Sequence, residues 1–245
     1  MLNQLVRYEP VVQLVRELEN ASVLEVGSGS AGLARWLGDR PVTALDTSFD
    51  DYGARDDTPP RDGTSVRGDA MDMPFPDASF DVVVALDVLE HIARIDRPRV
   101  LAELARTARR RVVVGCPTGC AAFEADERLA ERLTRRGHDL TGTWLAEHLE
   151  RGFPTDEELV EPLRPFGVVR TFGNENIRAH ERLMAIEATR PGLIVTRWIV
   201  RALAAGVRRP TSLRARLLWV IRGRDEEPTY RTIVVLDRQA DRDPA

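Results

Sequence analysis

The chain has 245 residues, 43% of them hydrophobic, and its 35 basic and 39 acidic side chains leave a net charge of −4. That length suits a single globular domain spanning residues 1–245. No apolar run reaches the roughly 18 residues of a membrane-spanning helix, so a transmembrane protein is not expected. Cys116 and Cys120 are too few for a disulfide scaffold, and with no neighbouring His cluster they make a poor zinc site, so no metal is expected. Arg7, Glu9, Arg16, Glu17 and Glu19 interrupt the first twenty residues, which therefore lack a secretory apolar core; a cytoplasmic location is expected.

The small net charge conceals a partition. Arg190 to Arg224 holds nine Arg and no Asp or Glu, which leaves −13 in the rest of the chain. Every basic residue is Arg, which compositional bias explains without any functional role.

Along the chain, short β-branched runs alternate with helical patterns, as in a parallel sheet covered by helices. Helices are expected at residues 11–19, 32–38, 98–108, 121–136 and 155–163. Strands are expected at 22–26, 42–46, 65–68, 81–87, 111–116, 167–172 and 230–236. Residues 50–63 hold five Asp, two Gly and two Pro, and read as an exposed connection. Thr155 and Glu158 have the spacing of a capping box. Asn174 to Glu181 reads as a linker in which His180 has no assigned role. The Arg-rich stretch reads as two helical pieces divided near Pro210, forming a helical insertion over residues 176–226, and the last five residues are expected to fray.

The strongest local feature is the strand Val23 to Val26 followed by Gly27-Ser28-Gly29 and a helix start. Glycines allow a tight turn and close approach of a ligand to the backbone, and the helix start offers free N–H groups. Gly27, Gly29 and Gly32 satisfy G-x-G-x-x-G, and Asp46 lies where a carboxylate meets a ribose diol in either an NAD or an S-adenosylmethionine site. A nicotinamide-dependent oxidoreductase is therefore one alternative, and a non-catalytic cofactor-binding module another.

The continuation separates the two cofactors. Gly68-Asp69-Ala70-Met71-Asp72-Met73-Pro74-Phe75-Pro76-Asp77-Ala78-Ser79-Phe80-Asp81 leads into a strand and then Asp87-Val88-Leu89-Glu90-His91-Ile92. In order and spacing this resembles the class I S-adenosylmethionine-dependent methyltransferases of the small-molecule, type 11-like group, from Ser22 to about Gly119. The resemblance implies a Rossmann-like α/β fold with a seven-stranded, mostly parallel sheet, helices on both faces, and an antiparallel last strand after the helical insertion. It implies that Glu25, Gly27, Ser28 and Gly29 surround the methionine moiety and that Asp46 binds the ribose hydroxyls. Asp69, with the backbone of Ala70 or Met71, would meet the adenine, and Asp87 would lie beside the methyl-transfer region. Carboxylates around the cofactor also suit its cationic sulfonium. The family often carries a third Gly where this chain has Ala31.

The acceptor side is less defined. The implied reaction is methyl transfer to a small-molecule, glycan or lipid-linked acceptor, with oxygen the expected target. His91 is the first candidate general base, with capping or cleft lining as its plain structural alternative. His138 and His148 form a second pair; a helical turn would put Trp144 and His148 on one face, which favours His148. Arg197, Arg201 and Arg208 would form a stripe beside Ile194, Trp198, Ile199 and Leu203. Such a face suits peripheral contact with an anionic membrane through residues 190–224, a lid over an anionic acceptor, or salt bridges within the protein. Nucleic acid is the least favoured partner, and the sequence sets no oligomeric state.

Overall fold

The computed structural model describes residues 2–29, 32–38, 40–49, 64–205 and 228–238. Seven strands form one sheet: β1 (Val23–Val26), β2 (Val42–Asp46), β3 (Ser65–Arg67), β4 (Phe80–Leu86), β5 (Ala108–Pro117), β6 (Gly167–Asn176) and β7 (Thr229–Arg238). Their spatial order is β3-β2-β1-β4-β5-β7-β6. The β1, β2, β3, β4 and β5 ladders are parallel, whereas β7 runs antiparallel to both β5 and β6. The dinucleotide-binding fold places six strands in the order 3-2-1-4-5-6. An antiparallel strand wedged between the fifth and sixth is a different topology.

The central strands are apolar on both faces because helices cover both. The described helices are α1 (Leu2–Arg16), α2 (Ala34–Leu37), α3 (Arg97–Thr107), α4 (Gly119–Arg135), α5 (Trp144–Arg151), α6 (Asp156–Val160), α7 (Ile177–Glu187) and α8 (Arg190–Ala205). On one face Leu24, Val26, Val83, Ala85, Val112 and Val114 pack against Val100, Leu101 and Leu104 of α3. On the other, Val23, Val82, Val84 and Val113 meet Val11, Val12 and Val15 of α1. Strand alternation therefore turns Glu25 toward α1, together with Val23.

Several expectations need revision. The first helix runs over 2–16 rather than 11–19 and contains Pro10. The stretch read as a linker is the end of β6 and the first turn of α7, which starts on an Asn176 side chain that accepts from the N–H groups of Arg178 and Ala179. The capping box of Thr155 and Glu158 is present at the start of α6. Residues 50–63, the helical piece beyond Pro210 and the last five residues lie outside the described residues. So do Ala31, Arg208 and the side chain of Arg201.

Candidate active site

A cavity of about 770 Å³ opens at the carboxyl ends of β1, β2 and β4. In that sheet order β1 lies between β2 and β4, so the cavity occupies the point where strand order reverses. Open α/β sheets bind ligands at such a point.

Its floor is the turn after β1. Gly27 has φ +72°, and a Cβ there would strike the Val88 side chain. A Cβ on Gly32 would strike the Glu25 carboxylate. That carboxylate accepts from Tyr8 Oη at 3.0 Å and from the Leu33 N–H at 2.5 Å. Glu25 is thus an internal brace that ties the turn, the α2 entry and α1 together, and it sits behind the cavity wall. Burial raises its pKa to about 7, against the opposing effect of those two donors.

The rim carries the other predicted carboxylates. Asp46 ends β2, where its Oδ2 accepts from the Gly29 N–H at 2.8 Å and its Oδ1 from the Ser48 N–H at 3.1 Å. Each oxygen of a carboxylate has two lone pairs, so capacity remains for a diol. Asp69 and Ala70 line the cavity, while Met71 is set back and donates its N–H to Asp69 Oδ1 at 2.8 Å. Ser28 and Gly29 complete this wall.

Asp87 also lines the cavity, but its charge is not available as expected. Arg231 grips both oxygens at 2.8 and 2.9 Å, and Arg7 adds a third contact at 2.8 Å. Although burial opposes it, these guanidinium groups hold the Asp87 carboxyl well below its ordinary value. Arg231 also pairs with the fully buried Glu175, which in turn contacts His180. Asp87 therefore organises α1, β4 and β7, and contributes little net negative field toward a sulfonium.

The opposite wall is built by His91 and His148, whose rings lie 5.0 Å apart. His91 closes a single 3₁₀ turn after β4, and its Nδ1 is 2.8 Å from Glu147 Oε2. Burial first, then the neighbouring His148, lower its pKa. His148 is only 5% exposed, not a hydrated surface histidine. It packs edge-on against Trp144, as helical spacing predicts, and its Nδ1 lies 2.7 Å from Asp126 Oδ2. Asp126 also accepts from the Tyr230 hydroxyl at 3.0 Å, and Tyr230 stacks on His180 at 3.5 Å. His138 is exposed and outside the cavity.

Sequence reasoning missed Arg7, Asp126, Glu147, His180, Tyr230 and Arg231. Most act through contacts between elements remote in sequence, which no local motif announces. The polarity of Tyr230-Arg231 within an apolar strand was the one available signal.

Residues 24–116 match the family model described as a methyltransferase domain. An uncharacterized methyltransferase of Mycolicibacterium gilvum is 32% identical over 133 residues, 49% of this chain and 52% of that protein. The chain thus spans about half the length of that curated relative. Magnesium protoporphyrin IX methyltransferase from Synechocystis, solved with bound S-adenosylhomocysteine, shares 18% identity over 71% of this chain and 77% of its own, with TM-score 0.50. A methyltransferase from Thermotoga maritima shares 14% identity over 96% and 91% of the two chains, with TM-score 0.54. Residues 24–116 thus resemble a methyltransferase domain, and the fold of the described residues is shared with solved methyltransferases.

Proposed function

We propose that this protein transfers a methyl group from S-adenosylmethionine to a hydroxyl of a small-molecule, glycan or lipid-linked acceptor. The observation that carries this reading is the two-walled cavity: the Gly27 to Gly29 turn, Asp46 and Asp69 face His91 and His148 across it. The first wall fits the cofactor. Asp46 would hold the ribose hydroxyls, Asp69 and the Ala70 backbone the adenine, and the glycine turn the methionine portion. The cofactor supplies an electrophilic methyl group on a sulfonium.

His91 and His148 form the acceptor wall. With Nδ1 directed at Glu147, the His91 ring presents Nε2 chemistry toward the acceptor, and the pair promotes loss of the hydroxyl proton. With the cofactor bound, the acceptor oxygen would form the new C–O bond while the C–S electron pair leaves with sulfur. Positioning the two reactants in line supplies much of the acceleration. The test is transfer of isotopic label from S-adenosylmethionine to a panel of hydroxylated small molecules, glycans and lipid-linked glycans. His91→Ala should lower turnover at least ~100-fold with cofactor affinity unchanged. Full turnover in that variant would remove His91 from the chemistry.

We further propose that α8 contacts an anionic membrane surface. In support, Ile194, Val195 and Trp198 are 57%, 54% and 66% exposed on a helix that also carries exposed Arg197. No described helix is long and apolar enough to cross a membrane. Sedimentation with phosphatidylserine vesicles should fall on Trp198→Ala and Arg197→Gln together, and wild-type protein that never sediments would end the proposal.

A further inference from the structure

Glu90, next to the cavity-lining His91, is a carboxylate that the preceding account does not use. It is fully buried on the 3₁₀ turn that also carries His91, and neither of its oxygens reaches a hydrogen-bond donor of another residue. Its cationic neighbours are engaged elsewhere. Arg97 donates to the carbonyls of Leu89, Ile92 and Gly152, and Arg231 is held by Asp87 and Glu175. A buried carboxylate without a partner is expensive unless a proton or a bound cation neutralises it.

Two histidines stand where such a cation would sit. One ligand atom each from Glu90, His91 and His148 lies within 4.8 Å of the other two. His148 Nε2 is 3.9 Å from Glu90 Oε1, too long for a hydrogen bond. Both rings turn Nδ1 to a carboxylate, His91 to Glu147 and His148 to Asp126, and the Tyr230 hydroxyl holds Asp126 in turn. Carboxylates placed behind histidines in this way fix the tautomer with Nδ1 protonated and Nε2 as ligand atom.

We infer that Glu90, His91 and His148 bind a divalent first-row transition metal ion. Two nitrogens and one oxygen suit zinc, cobalt, iron or manganese better than magnesium or calcium, which prefer oxygen alone. Metal bonds of about 2.0 to 2.2 Å require the ligand atoms, within 4.8 Å of one another, to draw together by up to about 1.5 Å. Three protein ligands leave coordination positions open toward the cavity, the arrangement of a reactive rather than a structural site. The role of the ion rests on the proposed methyl transfer: with the ion bound, Nε2 of both histidines would be a ligand rather than a base, and the ion would hold the acceptor hydroxyl and lower its pKa so that its proton passes to water.

The test uses the full chain, dialysed against EDTA and then titrated with Co²⁺, read by visible d–d absorption and by calorimetry. S-adenosylmethionine binding is measured on the same preparations. One Co²⁺ per chain is expected, with affinity reduced at least ~100-fold in Glu90→Gln and His148→Asn and about tenfold in Glu147→Gln, while cofactor affinity is retained. Retained cofactor binding shows that the variants are folded. Wild-type protein that binds S-adenosylmethionine but no stoichiometric Co²⁺, or Glu90→Gln that binds Co²⁺ as tightly as wild type, overturns the metal site. Binding of Co²⁺ without S-adenosylmethionine supports the metal site and overturns the methyl-transfer reading instead.

Discussion

At the scale of single residues, the part-buried Asp87 and the buried Glu25 have opposite fates because their partners differ. Asp87 is held ionised by Arg231 and Arg7. Asp87→Asn should leave two guanidinium groups short of a counter-charge and destabilise the fold by about 3 kcal/mol in urea denaturation. The choice of Asn matters, since Asp87 has φ +51°, a conformation that Asn tolerates and most residues do not. Glu25 accepts from two neutral donors, the Tyr8 hydroxyl and the Leu33 N–H, and burial raises its pKa to about 7. Its folded-state value thus lies above the ordinary 4.5, so the folded state binds more protons between those pH values. Stability must fall as pH rises through that window, by up to about 3 kcal/mol. Wild type compared with Glu25→Gln by denaturation at pH 5 and pH 8 isolates this contribution. The difference between them should shift against wild type at pH 8, and a constant difference would show that Glu25 titrates normally.

At the scale of elements, what was legible in the sequence was local. The strand Val23 to Val26, its glycine turn and Asp46 are adjacent features whose spacing fixes their geometry, and all three are found where expected. The helix α1 was shortened by Pro10, which interrupts the pattern yet is accommodated, leaving residues 2–9 unread. Those residues carry Arg7 and Tyr8, which brace Asp87 and Glu25. Likewise α7 was hidden because its start, Asn174-Glu175-Asn176, has turn-forming composition; Glu175 indeed has φ +70°. Its buried His180 meets Glu175 and stacks on Tyr230 of β7, which follows it by fifty residues. α1 should therefore behave as part of the site. Tyr8→Phe removes a donor from buried Glu25 and should cost about 1 to 2 kcal/mol of stability by thermal or urea unfolding, whereas an unchanged stability would show that the brace is unimportant.

At the scale of the whole molecule, the net charge of −4 describes no part of it. Much of the Arg outside the 190–224 stretch is consumed internally: Arg111 pairs with Glu17 and Asp237, Arg106 with Glu103 and Asp77, and Arg231 with Asp87 and Glu175. The expected ring of negative charge narrows accordingly to Asp46 and Asp69 on the cofactor wall. The seven strands and the helices between them were legible because short β-branched runs alternate with longer helical patterns, whereas their spatial order was not read from the sequence. The antiparallel β7 came from the resemblance, since strand direction leaves no mark in a ten-residue run. The pairing of His91 with His148 was not legible either, because α4 and α5 must first fold back over the end of β4 to bring them together.

The central claim, that this cavity holds S-adenosylmethionine on Asp46 and the glycine turn, is tested most directly by calorimetric titration of the full chain with that cofactor and with NAD. One S-adenosylmethionine site per chain is predicted, with no comparable NAD binding, and Asp46→Ala should weaken it by about 1 to 3 kcal/mol. Tight binding of NAD alone, or an S-adenosylmethionine affinity unaltered in Asp46→Ala, would contradict the account.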